Sequence, residues 1–189
     1  EDDPGDAVAG LEALGIPTLL FPTAPATLED AYAEWAAVGA AVGADPEAAE
    51  LISAAEAEIE AMLARIPNGG TSPTYYQELG EDLYSITSET FIGSIYALAG
   101  LQNVADPADD AGFGYPQLSA EYLLTADPDF IFLADTVCCG QSVATLAARP
   151  GWETLTAVAT GRVVELDDSL ASRWGPRITE FLELVVSSV

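Results

Sequence analysis

The sequence contains no histidine and no lysine, and its only basic residues are Arg65, Arg149, Arg162, Arg173 and Arg177. Without histidine these residues can form no Ser-His-Asp triad, no Cys-His pair and no His-ligated metal site. Without lysine there is no Walker A motif, no Schiff base and no lysine general base. Carboxylates, Tyr, Ser and Cys remain for chemistry, so an acid pair is the one catalytic kit left. Long apolar runs are lacking too: Ala36 to Ala44 falls far short of the roughly 18 residues a membrane-spanning helix needs. No signal peptide is recognisable, Met62 is the only methionine, and the chain opens abruptly on Glu1-Asp2-Asp3-Pro4. We therefore expect a processed or truncated product with an N-terminal segment missing.

What is abundant is negative charge. Against 5 basic residues stand 31 acids, a formal net charge of −26. Such a surface repels phosphate backbones and anionic lipid, so neither nucleic acid nor a membrane surface is expected as partner. A solvated acidic surface suited to solubility or a salty medium is the simplest account of it. Half of the residues are apolar and recur periodically, which argues for a folded chain rather than a disordered one. Its 189 residues suit one or two small domains.

The first stretch reads helix, strand, helix. Ala7 to Leu14 has helical spacing and stops at Gly15, and Ile16 to Phe21 reads as a short buried strand. Thr27, with Asp30 three residues on, caps a helix carrying Leu28, Tyr32, Trp35 and Val38 on one face. Asp45-Pro46 reads as an N-cap and first helical position, and the stripe Leu51, Ile52, Ala55, Ile59, Met62, Leu63 and Ile66 predicts a helix over 46–66. The breaker Pro67-Asn68-Gly69-Gly70 ends it. A second α/β series follows. Thr74 to Leu79 and Leu83 to Ile86 read as extended, and Ser88 caps a helix running to Ala99. Ser119 caps another over 120–126, and Phe130 to Leu133 reads as a buried parallel strand. A helix over 141–148, a strand over 162–166 and a closing amphipathic helix over 177–189 complete a sheet expected to be parallel and covered on both faces.

Several segments carry possible chemistry. Phe113 and Tyr115 sit among glycines in a loop feeding a helix start, where they either stack on a flat or greasy ligand or anchor the loop. Glu121 lies in a first helical turn, where the helix dipole favours a carboxylate whatever its function. The loop Asp135 to Gln141 follows a strand and is expected to line a cleft. Within it Cys138 and Cys139 can form a vicinal disulfide, remain free thiols or bind a soft metal, in that order of preference. Trp174, beside Arg173, is placed to reach the cleft, whereas Trp152 reads as a packing anchor. Arg177 is expected in a surface salt bridge, worth below about 1 kcal/mol.

The chain resembles the helical-backbone class of periplasmic binding proteins, which serve ferric siderophore, haem and cobalamin ABC importers. The likeness rests on Thr87-Ser88-Glu89-Thr90-Phe91-Ile92-Gly93 through Ala99-Gly100-Leu101-Gln102-Asn103-Val104, and on Tyr115-Pro116-Gln117-Leu118-Ser119-Ala120-Glu121. Asp127-Pro128-Asp129, Arg149-Pro150-Gly151-Trp152 and Arg173-Trp174-Gly175-Pro176-Arg177 extend it, in matching order and spacing. The resemblance implies an α/β fold of two Rossmann-like lobes joined by one long helix, the first lobe N-terminally truncated. Residues 1–43 would be the last part of the first lobe, 44–67 the connecting helix and 68–189 the second lobe with its closing helix. It also implies a cleft ligand touched by Tyr115, Arg173 and Asp168 or Ser169. Phe113, Trp174, Tyr84, Cys138 and Cys139 are counted with that ligand-facing set. Glu121 matches an acidic knob that pairs with an arginine of the permease.

The expected function is thus a non-catalytic, monomeric, extracytoplasmic binding protein, tethered as a lipoprotein in the manner of the family and needing no cofactor. It would capture a metal chelate (ferric siderophore first, cobalamin next, haem third) and deliver it to an ABC permease. Free zinc or manganese is disfavoured, because those relatives use histidine ligands. The rivals are an α/β enzyme whose acid pair would be Asp135 and Asp168, and an acidic interaction module for a basic partner.

Overall fold

The computed structural model of the protein describes residues 4–21, 23–66 and 72–189. The chain runs α1 (Pro4–Ala13), α2 (Leu28–Val42), α3 (Asp45–Leu63), β1 (Thr74–Glu78), α4 (Phe91–Leu98), β2 (Gln102–Asn103) and α5 (Ala120–Ala126). It continues with β3 (Phe130–Leu133), α6 (Thr136–Cys139), α7 (Val143–Ala147), α8 (Thr156–Ala159), β4 (Val163–Glu165) and α9 (Ile178–Ser188). Parallel neighbours need a crossover, and helices supply it at every step: α4 between β1 and β2, α5 between β2 and β3, α6 to α8 between β3 and β4. The four strands pair in parallel in the order β2-β1-β3-β4. The chain therefore leaves β1 toward one edge and returns to its other side, which opens a crevice at the carboxyl ends of β1 and β3.

Strand alternation divides the core. Tyr75, Phe130 and Phe132 point into a layer with Trp35, Ile59, Ile95, Tyr96, Phe181 and Val185, contributed by α2, α3, α4 and α9. Tyr76, Ile131 and Leu133 point the other way, into Leu123, Leu146, Trp152 and Leu155. In the first layer Tyr75 stacks on Tyr96 at 4.1 Å between ring centroids, and Tyr96 meets Phe181 edge-on at 5.2 Å. Contacts of this kind add about 0.5–1.5 kcal/mol beyond area burial. Helix α3, about 28 Å long at 1.5 Å per residue, packs on both α2 and α9 through buried Ala55, Ile59 and Met62. No described helix is long and apolar enough to cross a membrane.

Most expected elements are present, with local corrections. Thr27 and Asp30 form the reciprocal capping box, and Ser119 caps α5 as expected. Ile16 to Phe21 is not a strand. No neighbouring strand among the described residues takes its backbone hydrogen bonds, and Ile16, Leu19 and Leu20 are exposed. Asp45 is not the cap of α3 but its first residue, and Ala44 precedes it without a side-chain bond. Thr90 rather than Ser88 caps α4, because the Ser88 N–H and hydroxyl both donate to the Asp106 carboxylate. Leu83 to Ile86 holds only a single antiparallel bridge, Tyr84 to Gln117, since Leu83 adopts φ 66°. Helix α7 begins at Val143 behind a Ser142 cap, while the Gln141 side chain joins a polar cluster. Arg177 makes no ion pair among the described residues and stands at the N-cap of α9 instead. The expected breaker at 67–70 lies outside the described residues.

Gly93, in the first turn of α4, marks the tightest approach of a helix to a loop. A Cβ there would lie 1.9 Å from the Thr87 carbonyl oxygen. Backbone cannot yield cheaply, so Gly93→Ala is expected to lower the urea unfolding free energy by about 2 kcal/mol or more. Gly10→Ala in α1, where a Cβ meets nothing within 4 Å, is the control and should lose nothing.

Candidate functional site

On the α2/α4/α9 face, the carboxyl end of β1 opens into a cavity of about 170 Å³ whose walls include Ala24, Gln77, Ile86, Tyr115, Ser172 and Trp174. A second cavity of about 380 Å³ shares Ser172 and Trp174 and adds Phe21, Trp35, Val38 and Arg173. One wall therefore comes from Phe21, Ala24 and the Glu34–Val38 face of α2, and the other from β1, the Tyr115 loop and the segment before α9. Two indoles lock these walls together. Trp35 Nε1 donates to the Trp174 carbonyl oxygen at 2.8 Å, and Trp174 Nε1 donates to the Glu34 carboxylate at 2.8 Å.

The Tyr115 loop is held as firmly. The Asp109 carboxylate accepts from the N–H groups of Phe113 at 3.1 Å and Gly114 at 2.7 Å. Thr87 N–H donates to the Gly114 carbonyl and Ser85 N–H to that of Pro116. Gly114 takes φ 80°, and a Cβ there would lie 2.8 Å from Thr90 Cγ2, so glycine is required by both conformation and space. The result is a Tyr115 ring 55% exposed on a fixed backbone at the cavity wall.

The opposite face of the same strand ends carries a buried ionic cluster. Arg149 makes a bidentate pair with Glu78, both N···O distances being 2.6 Å, and lies over the Trp152 ring at 4.6 Å. Its Nη2 also donates to Gln141 Oε1 at 3.2 Å. Asp135 is fully buried, and neither carboxyl oxygen has a hydrogen-bond donor among the described residues. Burial, and then the adjacent Glu78 carboxylate, push the Asp135 carboxyl up to about 7, against the opposing pull of Arg149. Below neutral pH the Asp135 carboxyl therefore keeps its proton.

Beyond β3, the short helix α6 is capped from a distance by Asp168, which accepts from the N–H groups of Val137 at 3.0 Å and of Cys138. Partial burial pushes the Asp168 carboxyl up, but these backbone donors outweigh it and hold the group below the ordinary carboxylate range. Cys138 and Cys139 are joined to each other in a vicinal disulfide and are exposed.

Of the residues singled out in the sequence, Tyr115, Arg173 and Trp174 come together at the two cavities. Phe113 is 80% exposed and lines neither; Tyr84, Cys138 and Cys139 are likewise exposed away from these walls. Asp168 is committed to α6, while its neighbour Ser169 joins Arg173 and Arg177 around a smaller hollow of about 130 Å³. Of the two acids considered for catalysis, Asp135 lies beside the Glu78 carboxyl, and Asp168 accepts from backbone N–H groups of α6. Glu121 is exposed in the first turn of α5 and forms no ion pair among the described residues. Sequence reasoning missed Gln77 and Ser172. The available signal for Gln77 was alternation, which sets it two residues after Tyr75 on an apolar face.

Comparison with known proteins accords with this architecture. Residues 6–170 match the sequence pattern of the family described as "Periplasmic binding protein", and the chain belongs to that family. It is 26% identical over 188 residues to YvrC of Bacillus subtilis (strain 168), an uncharacterized ABC transporter substrate-binding lipoprotein, covering 97% of this chain and 57% of that protein. It is 28% identical over 176 residues to a cobalamin-binding protein of Halobacterium salinarum, covering 92% of this chain and 47% of the relative. The chain thus spans about half the length of these relatives. Among solved structures, the periplasmic heme-binding protein RhuT from Roseiflexus sp. RS-1 superposes with a TM-score of 0.81 at 26% identity, over 98% of this chain and 71% of RhuT.

The ionic cluster generates two expectations. Arg149→Met leaves the Glu78 carboxylate buried without its partner and should cost about 3–5 kcal/mol in denaturant unfolding. For Asp135 the folded chain keeps a proton that the unfolded chain releases above its ordinary value of 3.8. Unfolding free energy should therefore fall as pH rises from about 4 to about 7 and level off above. In Asp135→Asn this contribution is absent, so the difference between wild type and variant, followed by urea titration at fixed high salt, should grow with pH across that window.

Proposed function

With family membership as premise, we propose that this chain is the ligand-capturing part of an ABC importer's substrate-binding protein, holding a metal chelate in the cleft between the Phe21, Ala24 and α2 wall and the Tyr115–Trp174 wall. The observation that carries the reading is the meeting of Tyr115, Trp174 and Arg173 at adjoining cavities on the carboxyl side of a parallel sheet. An exposed aromatic ring on a fixed loop suits the flat face of a chelate, and a single guanidinium suits one acidic group on its edge. The names carried by two relatives, a cobalamin-binding and a heme-binding protein, favour a flat macrocycle over an open ferric siderophore.

In this reading residues 1–43 belong to a first lobe, 44–67 to a connecting helix and 68–189 to the second lobe. The packing of α3 on both α2 and α9 would limit the hinge to small motions. Exposed Glu121, unpaired among the described residues, serves as the carboxylate that docks on a permease arginine, fixing register more than affinity. The protein acts as a monomer outside the cytoplasmic membrane. Its relatives are binding proteins rather than enzymes, in keeping with the separate engagement of Asp135 and Asp168.

Tryptophan fluorescence titration with cyanocobalamin, haemin and ferric desferrioxamine B tests the proposal. Saturable quenching by one chelate is expected, weakened about tenfold by Tyr115→Ala or Arg173→Ala. Absence of quenching by all of them, from folded protein, overturns it. In a transport assay reconstituted with the permease, Glu121→Lys should reduce uptake while leaving chelate affinity unchanged.

A further inference from the structure

Among the described residues three carboxamide side chains are buried: Gln77, Asn103 and Gln141. Two of them are fully engaged. Asn103 Nδ2 donates to the Tyr75 hydroxyl at 2.9 Å and to the Ile86 carbonyl at 2.8 Å, while its Oδ1 accepts from Ala105 N–H at 2.9 Å. Gln141 donates to Glu81 and accepts from Arg149 and the Thr145 hydroxyl. Gln77 differs from both. It is fully buried, and neither Nε2 nor Oε1 has a partner among the described residues.

An unpartnered buried polar group costs about 1–3 kcal/mol; two of these carboxamides are satisfied, and the third, Gln77, is among the residues that line the smaller cavity. The backbone gives Gln77 no freedom to turn away. Its register against Phe132 is fixed, and its carbonyl accepts from the Ser85 hydroxyl at 2.8 Å. Around it the cavity is apolar and uncharged, with Leu79, Ile86, Phe91 and Ile92 in the wall. The polar groups near it are few: the Tyr115 and Ser172 hydroxyls, and a Trp174 N–H already given to Glu34. Arg173 lines the neighbouring cavity, not this one.

From this we infer that Gln77 is the specificity-determining residue of the cleft and that it reads a neutral primary carboxamide on the ligand. Resting on the chelate reading above, the inference narrows that class to chelates with peripheral amide arms, the corrinoids. Two primary carboxamides form a reciprocal pair, each donating one N–H to the other's oxygen, which satisfies both atoms of Gln77 at once. A carboxylate arm, such as the propionate of haem, would meet one donor and one opposing oxygen, with no cation in the cavity to neutralise it. The volume of about 170 Å³ accommodates one arm, not a macrocycle, whose body would lie toward Tyr115 and the larger cavity.

The test is calorimetric titration of the wild type and of Gln77→Met with cyanocobalamin, with its derivative hydrolysed at the peripheral amides to carboxylates, with haemin and with ferric desferrioxamine B. Wild type should bind cyanocobalamin best and the hydrolysed derivative about tenfold or more weaker. Gln77→Met should lose about tenfold in cyanocobalamin affinity and most of that discrimination. Its ligand-free melting temperature should be equal or higher, because an unsatisfied buried amide has been removed; a merely structural Gln77 would give the reverse. Should Gln77→Met not fold, Gln77→Asn, which shortens the reach by one methylene, must show the same loss of discrimination. Wild-type affinity and discrimination retained in a folded variant overturn the assignment. So does binding of haemin or ferric desferrioxamine B in preference to cyanocobalamin, although the chelate reading then stands. No binding of any chelate by folded wild type overturns both.

Discussion

The parallel pairing of β1 with β3, Tyr75 to Glu78 against Phe130 to Leu133, is the constraint on which the other features depend. It fixes the parity of both strands, and a slip of one residue would send every side chain to the opposite layer. With the observed parity, Tyr75, Phe130 and Phe132 enter the layer of α2, α3, α4 and α9, and Gln77 follows them to the cleft. Tyr76, Ile131 and Leu133 enter the other layer, and Glu78 and Asp135 follow them to Arg149. Two neighbouring residues at the end of one strand thus serve opposite ends. Glu78 anchors an ionic cluster that ties the α7 region to the sheet, and Gln77 is left facing the cavity.

Electrostatics in so acidic a chain is a matter of where the five arginines are spent. Arg149 is buried against Glu78 and Trp152, and Arg65 bridges α3 to Glu183 of α9 at 2.6 Å. The second pair is exposed on both sides, so solvent screens most of its attraction. Arg162 lies over the Phe130 ring at 5.2 Å and makes no ion pair among the described residues. Arg177, at the start of α9, sits where the helix dipole disfavours a cation, so its position is set by the chain path and not by local electrostatics. Arg173 alone lines the larger cavity. Asp168 shows the same economy on the acidic side: its charge is neutralised by backbone N–H groups of α6, not by any arginine.

What the sequence discloses of this structure is governed by how local each determinant is. The capping box at Thr27, the Ser119 cap and the apolar run 130–133 depend on a few adjacent residues and were legible. Ser88 has the right chemistry for a cap, but Asp106, distant in sequence, claims both its donors and moves the cap to Thr90. Ile16 to Phe21 has strand composition, yet a strand exists only where another backbone pairs with it. The same limit applies at the site. Tyr115 and Trp174 stood out as aromatics in glycine-rich or proline-flanked loops, whereas Arg173 was named through the family resemblance. Gln77 was not, because a glutamine within a strand carries no signal until the fold shows which of its possible partners are missing.

The acidic field and the neutral cavity bear on each other. A net charge of −26 raises the cost of bringing any anion to this surface, over distances set by the screening length of about 8 Å at physiological salt. An anionic chelate would meet that repulsion on approach and then find Arg173 as the one cation at the larger cavity. A chelate with neutral arms and a neutral or cationic centre meets no such barrier, and in the smaller cavity it finds a carboxamide already stripped of water. In a concentrated salt medium the long-range term fades and the cavity contacts alone must discriminate. Recognition through paired amide hydrogen bonds is insensitive to ionic strength, whereas recognition through ion pairs would weaken under the same conditions.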